Sequence, residues 1–141
     1  MPTLHSPSQN ELLAGLPEAD LARLAIHLER VPMRLGDVLF APDVQLELAY
    51  FPTTAVVSFV AEENQVRHVA LIGKEGMVGI PLLLAPRPRA CRATVEMAGE
   101  GYCLSTRELY YELNRSGPML RLALHYAEQL NAQLRQQSKA R

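Results

Sequence analysis

The residues best suited to chemistry lie between Ile72 and Val95, in the run IGKEGMVGIPLLLAPRPRACRATV. Gly73, Gly76 and Gly79 recur at every third position. An apolar stretch follows over 80–85, then Pro86 and Pro88, then Arg87, Arg89 and Arg92. Glycine permits positive φ and lets a backbone approach a ligand closely. Amide N–H groups at the start of a short helix favour an anion, and an arginine can close on it bidentately. The pattern suits a small anion cradle: an amide turn around Gly79, a lid, and the Arg89 guanidinium. The same residues also suit a tight turn between strands, flanked by solvated arginines.

Other chemistries find little support. His5, His27, His68 and His125 are scattered, without metal-ligand spacing. Glu62 and Glu63 fall in a polar loop and make no acid/base pair. No serine, histidine and aspartate, or cysteine and histidine, stand in a catalytic pattern, so no enzymatic activity is expected. Cys91 and Cys103 read as buried thiols in strands and cannot supply four thiolates to an iron–sulfur cluster.

The positioning elements follow from periodicity. The chain has 141 residues, 48% of them hydrophobic, enough for one domain with a sizeable core. Its formal charge is −1, so no global field recruits nucleic acid or a membrane surface. Residues 1–64 hold three basic and nine acidic groups, whereas 65–141 hold eleven basic and six acidic. No signal peptide or spanning apolar run is visible, and a cytoplasmic protein is expected.

Residues 1–9 read as a loose polar arm, with Ser8 as cap of a short helix ended by Gly15. Pro17 opens a second helix, with Leu21, Leu24, Ala25 and Leu28 on its core face. From Val31 to Ile72 short strands alternate with turns at 35–37, near Asp43, at Pro52 and at 62–65. Two more strands, Arg92–Met97 and Tyr102–Leu104, flank a turn at AGEG (98–101). Strands without intervening helices predict an antiparallel barrel or roll. Ser105 or Thr106 caps one helix and Ser116 the next, with Glu108 and Pro118 in supporting positions.

The last helix carries a second signal. Leu120, Ala123, Ala127, Leu130 and Leu134 recur at spacings of three and four, an a/d seam over two heptads. Met119, Leu122 and Tyr126 form a neighbouring stripe. One stripe would cover the strands and the other a partner, or both would form a single broad core face.

Taken in order, a strand, a G-x-x-G turn, a short apolar helix and Arg-Ala before a strand resemble the phosphate-binding cassette of cyclic-nucleotide-binding domains. LGDVLF (35–40), YFPTTAVVSFV (50–60) and VALIGKEGMVG (69–79) are similar to the sensor domain of Crp/Fnr-type transcription regulators. The resemblance covers residues 10 to 137. It implies an α+β fold: an antiparallel β-roll (double-stranded β-helix) with N-terminal helices over residues 1–115. A C-terminal dimerisation helix over 116–141 would pair with its twin in a homodimer. It places ligand contacts at Gly79, Ile80, Pro81, Arg89 and Ala90, with a helix contact near Gln133 or Leu134. The ligand would be a cyclic nucleotide or another small anionic effector. The cyclic-AMP cassette has Glu where Ile80 stands and Ser where Ala90 stands, so cyclic AMP is expected to bind weakly or not at all. Regulators of this kind contact DNA through a helix-turn-helix beyond the dimer helix. The chain stops at QQSKAR, where a hinge would begin, so that DNA-binding part is expected to be missing. A truncated chain and a stand-alone nucleotide-binding module acting on a partner protein are both compatible with this.

Overall fold

Alternating side chains and local caps build most of the architecture in the computed structural model, which describes residues 5–42, 47–63, 65–79 and 90–136. A 3₁₀ turn (Pro7–Gln9) leads into α1 (Glu11–Ala14) and α2 (Glu18–Ala25). The cap of α1 is Asn10 rather than Ser8: its side-chain oxygen accepts the Leu13 N–H at 3.0 Å. Pro17 stands one position before α2, its carbonyl accepting the Leu21 N–H at 3.0 Å.

Two antiparallel sheets follow. One has the order β1 (Glu29–Met33), β7 (Gly99–Ser105), β3 (Leu48–Pro52). The other runs β2 (Val38–Phe40), β6 (Ala90–Met97), β4 (Val56–Glu63), β5 (Val66–Ile72). Val57 and Phe59 on β4, Ala70 and Ile72 on β5, and Cys91, Ala93 and Val95 on β6 point inward at every second position. They share one core cluster with Ala49 and Phe51 of β3 and Leu104 of β7. Between β4 and β5 the hairpin is tighter than the polar run 62–65 suggests. Glu62 and Glu63 still pair with Arg67 and Val66, and Gln65 takes a positive φ of 66°.

The expected four-residue turn at 98–101 is also shorter, with Ala98 alone separating β6 from β7. Gly99 and Gly101 are strand residues that let β7 press against residues 51–55.

Helix α3 (Thr106–Arg115) starts as predicted, Ser105 Oγ accepting the Glu108 N–H at 3.1 Å. Helix α4 (Gly117–Gln136) starts at Ser116, whose Oγ accepts the Met119 N–H at 3.1 Å. That hydroxyl also donates to Asp20 at 2.7 Å, tying α2 to the joint between α3 and α4. Beside it Arg23 donates twice to the buried carboxylate of Glu112, each bond 3.2 Å.

The predicted seam on α4 divides. Ala123 and Leu130 are 0% and 1% exposed and belong to the chain's own core, with Met119 and Tyr126. Ala127 is also buried, whereas Leu120 is 37% exposed and Leu134 half-buried. The five residues therefore do not form a free seam. A straight helix has 3.6 residues per turn, so a 3/4 repeat marks the side facing the sheets as readily as one facing a partner. The outward edge of α4 instead carries Leu120 and Leu124, the latter 46% exposed.

Candidate functional site

The segment leading into the expected cassette is fixed from three sides. Its turn closes with the Gly76 N–H donating to the Gly73 carbonyl at 3.1 Å, and Glu75 folds back to accept the Gly73 N–H at 3.1 Å. From the N-terminal arm, Asn10 Nδ2 donates to the carbonyls of Gly76 (2.9 Å) and Pro52 (2.8 Å), and the Glu11 N–H donates to the Lys74 carbonyl at 2.7 Å. Val78 and Tyr50 exchange both backbone hydrogen bonds, at 2.8 and 3.0 Å, which stitches the segment to β3.

Gly79 comes next, buried, with φ +135°. A side chain there would be strained, and its Cβ would lie 3.2 Å from that of Ala49. The chain thus leaves β3, in one sheet, at Gly79 and joins the other sheet at Ala90, whose backbone pairs with Glu62. Residues 80–89, which include Ile80, Pro81, Arg87 and Arg89, lie outside the described residues, so the expected cradle is seen only at its two ends. Arg92, expected to face solvent, is exposed.

Gln133 has a partner within the chain. Its Oε1 accepts the N–H of Leu71 at 2.8 Å, capping a backbone donor on the free edge of β5. Gln133 also lines an open concavity of about 360 Å³ with Glu75, Tyr126, Gln129, Leu130 and Ala132. Tyr126 was not expected in this region. Its ring tip stands where a Cβ of residue 76 would be, 2.1 Å from that position, so only glycine fits opposite it. Burial pushes the Tyr126 phenol well above its ordinary range, and the charge of Glu75 adds to this. The Met77 backbone amide works the other way without reaching hydrogen-bond geometry. Burial likewise pushes the Cys91 thiol up to about 11. Among the described residues, no group of three or more His, Cys, Asp or Glu side chains could hold a metal ion. None of the described helices is long and apolar enough to cross a membrane.

At the other end of the arm, His5 Nδ1 and Nε2 lie 2.9 Å from the Tyr102 hydroxyl and 3.0 Å from Thr53 Oγ1. Both contacts hold residues 5–10 against the end of the three-stranded sheet. The signal for such an arm was present in the sequence at Asn10, a cap residue ahead of ELLA.

Two sheets bridged by a glycine-led segment and closed by a long helix recur in solved structures. The regulatory subunit of a cAMP-independent protein kinase A from Trypanosoma brucei superposes with a TM-score of 0.73 at 21% identity, over 92% of this chain and 46% of that one. The fold is that of a cyclic-nucleotide-binding domain. The N-terminal domain of a transcriptional regulator from Streptomyces coelicolor A3(2) matches with a TM-score of 0.58 at 22% identity, over 89% of this chain and 90% of that one. The sensor domain of the transcriptional regulator DNR from Pseudomonas aeruginosa matches with a TM-score of 0.60 at 13% identity, over 85% and 91%. The chain therefore spans about half the length of the kinase subunit and nearly all of the two regulator domains. No protein-family model matches the chain, and no curated protein matches it. These neighbours are regulatory and sensor domains rather than catalytic ones.

Proposed function

We propose that this cyclic-nucleotide-binding-like domain is the effector-sensing and dimerising part of a cytoplasmic Crp/Fnr-type transcription regulator. DNA would be contacted by a helix-turn-helix outside these 141 residues. The observation that carries this is the end-to-end match with two regulator domains, each covered to 90% or more. Residues 1–115 would sense and 116–141 would transmit and pair.

The effector would enter between Gly79 and Ala90, held by the amides after Gly79 and by Arg89. Cyclic AMP would bind there weakly or not at all. Ile80 cannot accept from a ribose hydroxyl as a carboxylate does, and Ala90 offers no hydroxyl to a phosphate. Losing one charge-assisted and one neutral hydrogen bond weakens binding by about 30- to 1,000-fold. Calorimetric titration with cyclic AMP and cyclic GMP tests this, and a micromolar or tighter constant would refute it. For a small anionic effector that does bind, Arg89→Ala should abolish thermal stabilisation and Arg87→Ala should leave it.

Pairing would run along the outward edge of α4 through Leu120, Leu124 and the half-buried Leu134, with the small, buried Ala127 between them, spaced to fit a heptad seam. Light scattering over a concentration series should show a dimer that Leu124→Glu dissociates without unfolding. Leu130→Glu should instead unfold the chain, since Leu130 is 1% exposed. A Leu124→Glu variant that still dimerises fully would exclude this edge.

The likeness to a kinase regulatory subunit favours a second reading, a nucleotide-binding module acting on a partner protein. The reading frame of the gene beyond Arg141 separates the two. A further pair of helices about a short turn identifies the regulator.

A further inference from the structure

Tyr126 carries the only buried side-chain polar atom among the described residues with no hydrogen-bond partner. The residue is 5% exposed, and its hydroxyl is pressed against Gly76. A buried unpaired hydroxyl is costly, and native structures rarely keep one without a reason. Glu75 is the one acid whose charge acts appreciably on this phenol, and it lines the same open concavity. Its carboxylate is meanwhile spent on the N–H of Gly73, which is only half-buried. Water can satisfy that N–H once it is released, whereas the Tyr126 hydroxyl has almost no exposed surface in this arrangement.

We propose that Tyr126 and Glu75 form a two-position switch joining the 73–76 turn to α4. In the arrangement described here, Glu75 caps Gly73 and the Tyr126 hydroxyl is unpaired. In the second, the carboxylate swings through the concavity and accepts the Tyr126 O–H, and the turn draws back from the helix. Two opposing terms set the balance between the positions. The second position satisfies a buried donor, but it takes a carboxylate partly out of water. Gly76 is the pivot, because its missing side chain lets the ring tip sit against the backbone. The turn leads directly to Gly79, so its position sets where the cassette begins. The use of such a coupling rests on the sensor reading above; its existence does not.

Relaxation-dispersion NMR on the effector-free chain tests it. Amides of Gly73, Gly76 and Met77 should show microsecond-to-millisecond exchange. Tyr126→Phe and Glu75→Gln should each quench that exchange. Tyr126→Phe should also raise the melting temperature by roughly 3–6 °C, the reverse of what removing a bonded hydroxyl does. Flat dispersion in the parent chain overturns the proposal. So does exchange that survives either substitution, or a Tyr126→Phe variant that melts lower. The test uses no effector, so its failure leaves the sensor reading standing, and a failed titration leaves the switch standing.

Discussion

Replacing Gly76 by alanine perturbs the contact on which the cassette approach and the last helix both depend. The new Cβ would lie 2.1 Å from Cζ and the hydroxyl oxygen of Tyr126 and 2.4 Å from Cε1. Ordinary contact begins near 3.4 Å, so the ring tip must retreat by about 1.3 Å. It has little room to do so, since Tyr126 is buried beside Met119, Ala123 and Leu130 in the common core. The turn is equally confined, its Gly76 carbonyl being held by Asn10. Displacing a packed aromatic ring costs about 3 kcal/mol. For a chain of this size that lowers the melting temperature by about 10 °C. Tyr126→Ala alone should cost about 3–5 kcal/mol by leaving a cavity. In the double variant the Cβ enters space already vacated. Its loss should therefore match Tyr126→Ala alone, giving a coupling energy of about 3 kcal/mol. Urea denaturation of the four proteins measures the cycle. A Gly76→Ala chain melting within about 2 °C of the parent, or strictly additive losses, would refute the contact.

Asn10→Ala removes a helix cap and two donors to backbone carbonyls, all from a side chain with no exposed surface. A loss of about 2–4 kcal/mol is expected by denaturation, together with faster hydrogen exchange at the 73–76 turn. Cys91 is buried with its thiol pushed up to about 11. It should resist iodoacetamide at pH 8 in the folded chain and react only on unfolding, as mass spectrometry would show. The folded thiol keeps its proton where the unfolded thiol has lost it. Stability should therefore fall as pH rises above about 9, and a Cys91→Ala chain should show a smaller fall in the same window.

What the sequence made legible was local. The cap at Ser116 read correctly, and that of α3 was narrowed to Ser105 or Thr106, because hydroxyl and amide lie three residues apart. The β4–β5 hairpin read correctly, because alternation and a polar break sit side by side. Gly99 and Gly101 misled, because glycine marks a close approach as often as a turn, and only the partner strand decides which. The stripe on α4 misled for a related reason: its period shows that one side is apolar but not what covers it. The pairing of β7 with β1 and β3 was not legible, because no property of the three strands specifies it. Tyr126 against Gly76 was invisible, since the two lie 50 positions apart and neither residue is unusual by itself. Within the candidate site, the turn glycine Gly79 was legible from glycine spacing, whereas the hydrogen bond of Gln133 to Leu71 depends on which strand lies at the sheet edge.

The order of strands also bears on how the chain assembles as it is made. In the three-stranded sheet, β1 and β3 touch only through β7, which ends at Ser105. Neither can be paired until Gly99–Ser105 has left the ribosome. The β2 strand waits similarly for β6. Of all the strand pairs, β4 with β5 alone joins sequence neighbours, so this hairpin is the natural nucleus. A topology so dominated by distant pairings folds slowly, and until β7 arrives the growing chain shows apolar strand faces to its surroundings. Synthesis halted before residue 99 should therefore yield an aggregation-prone fragment rather than a smaller folded domain.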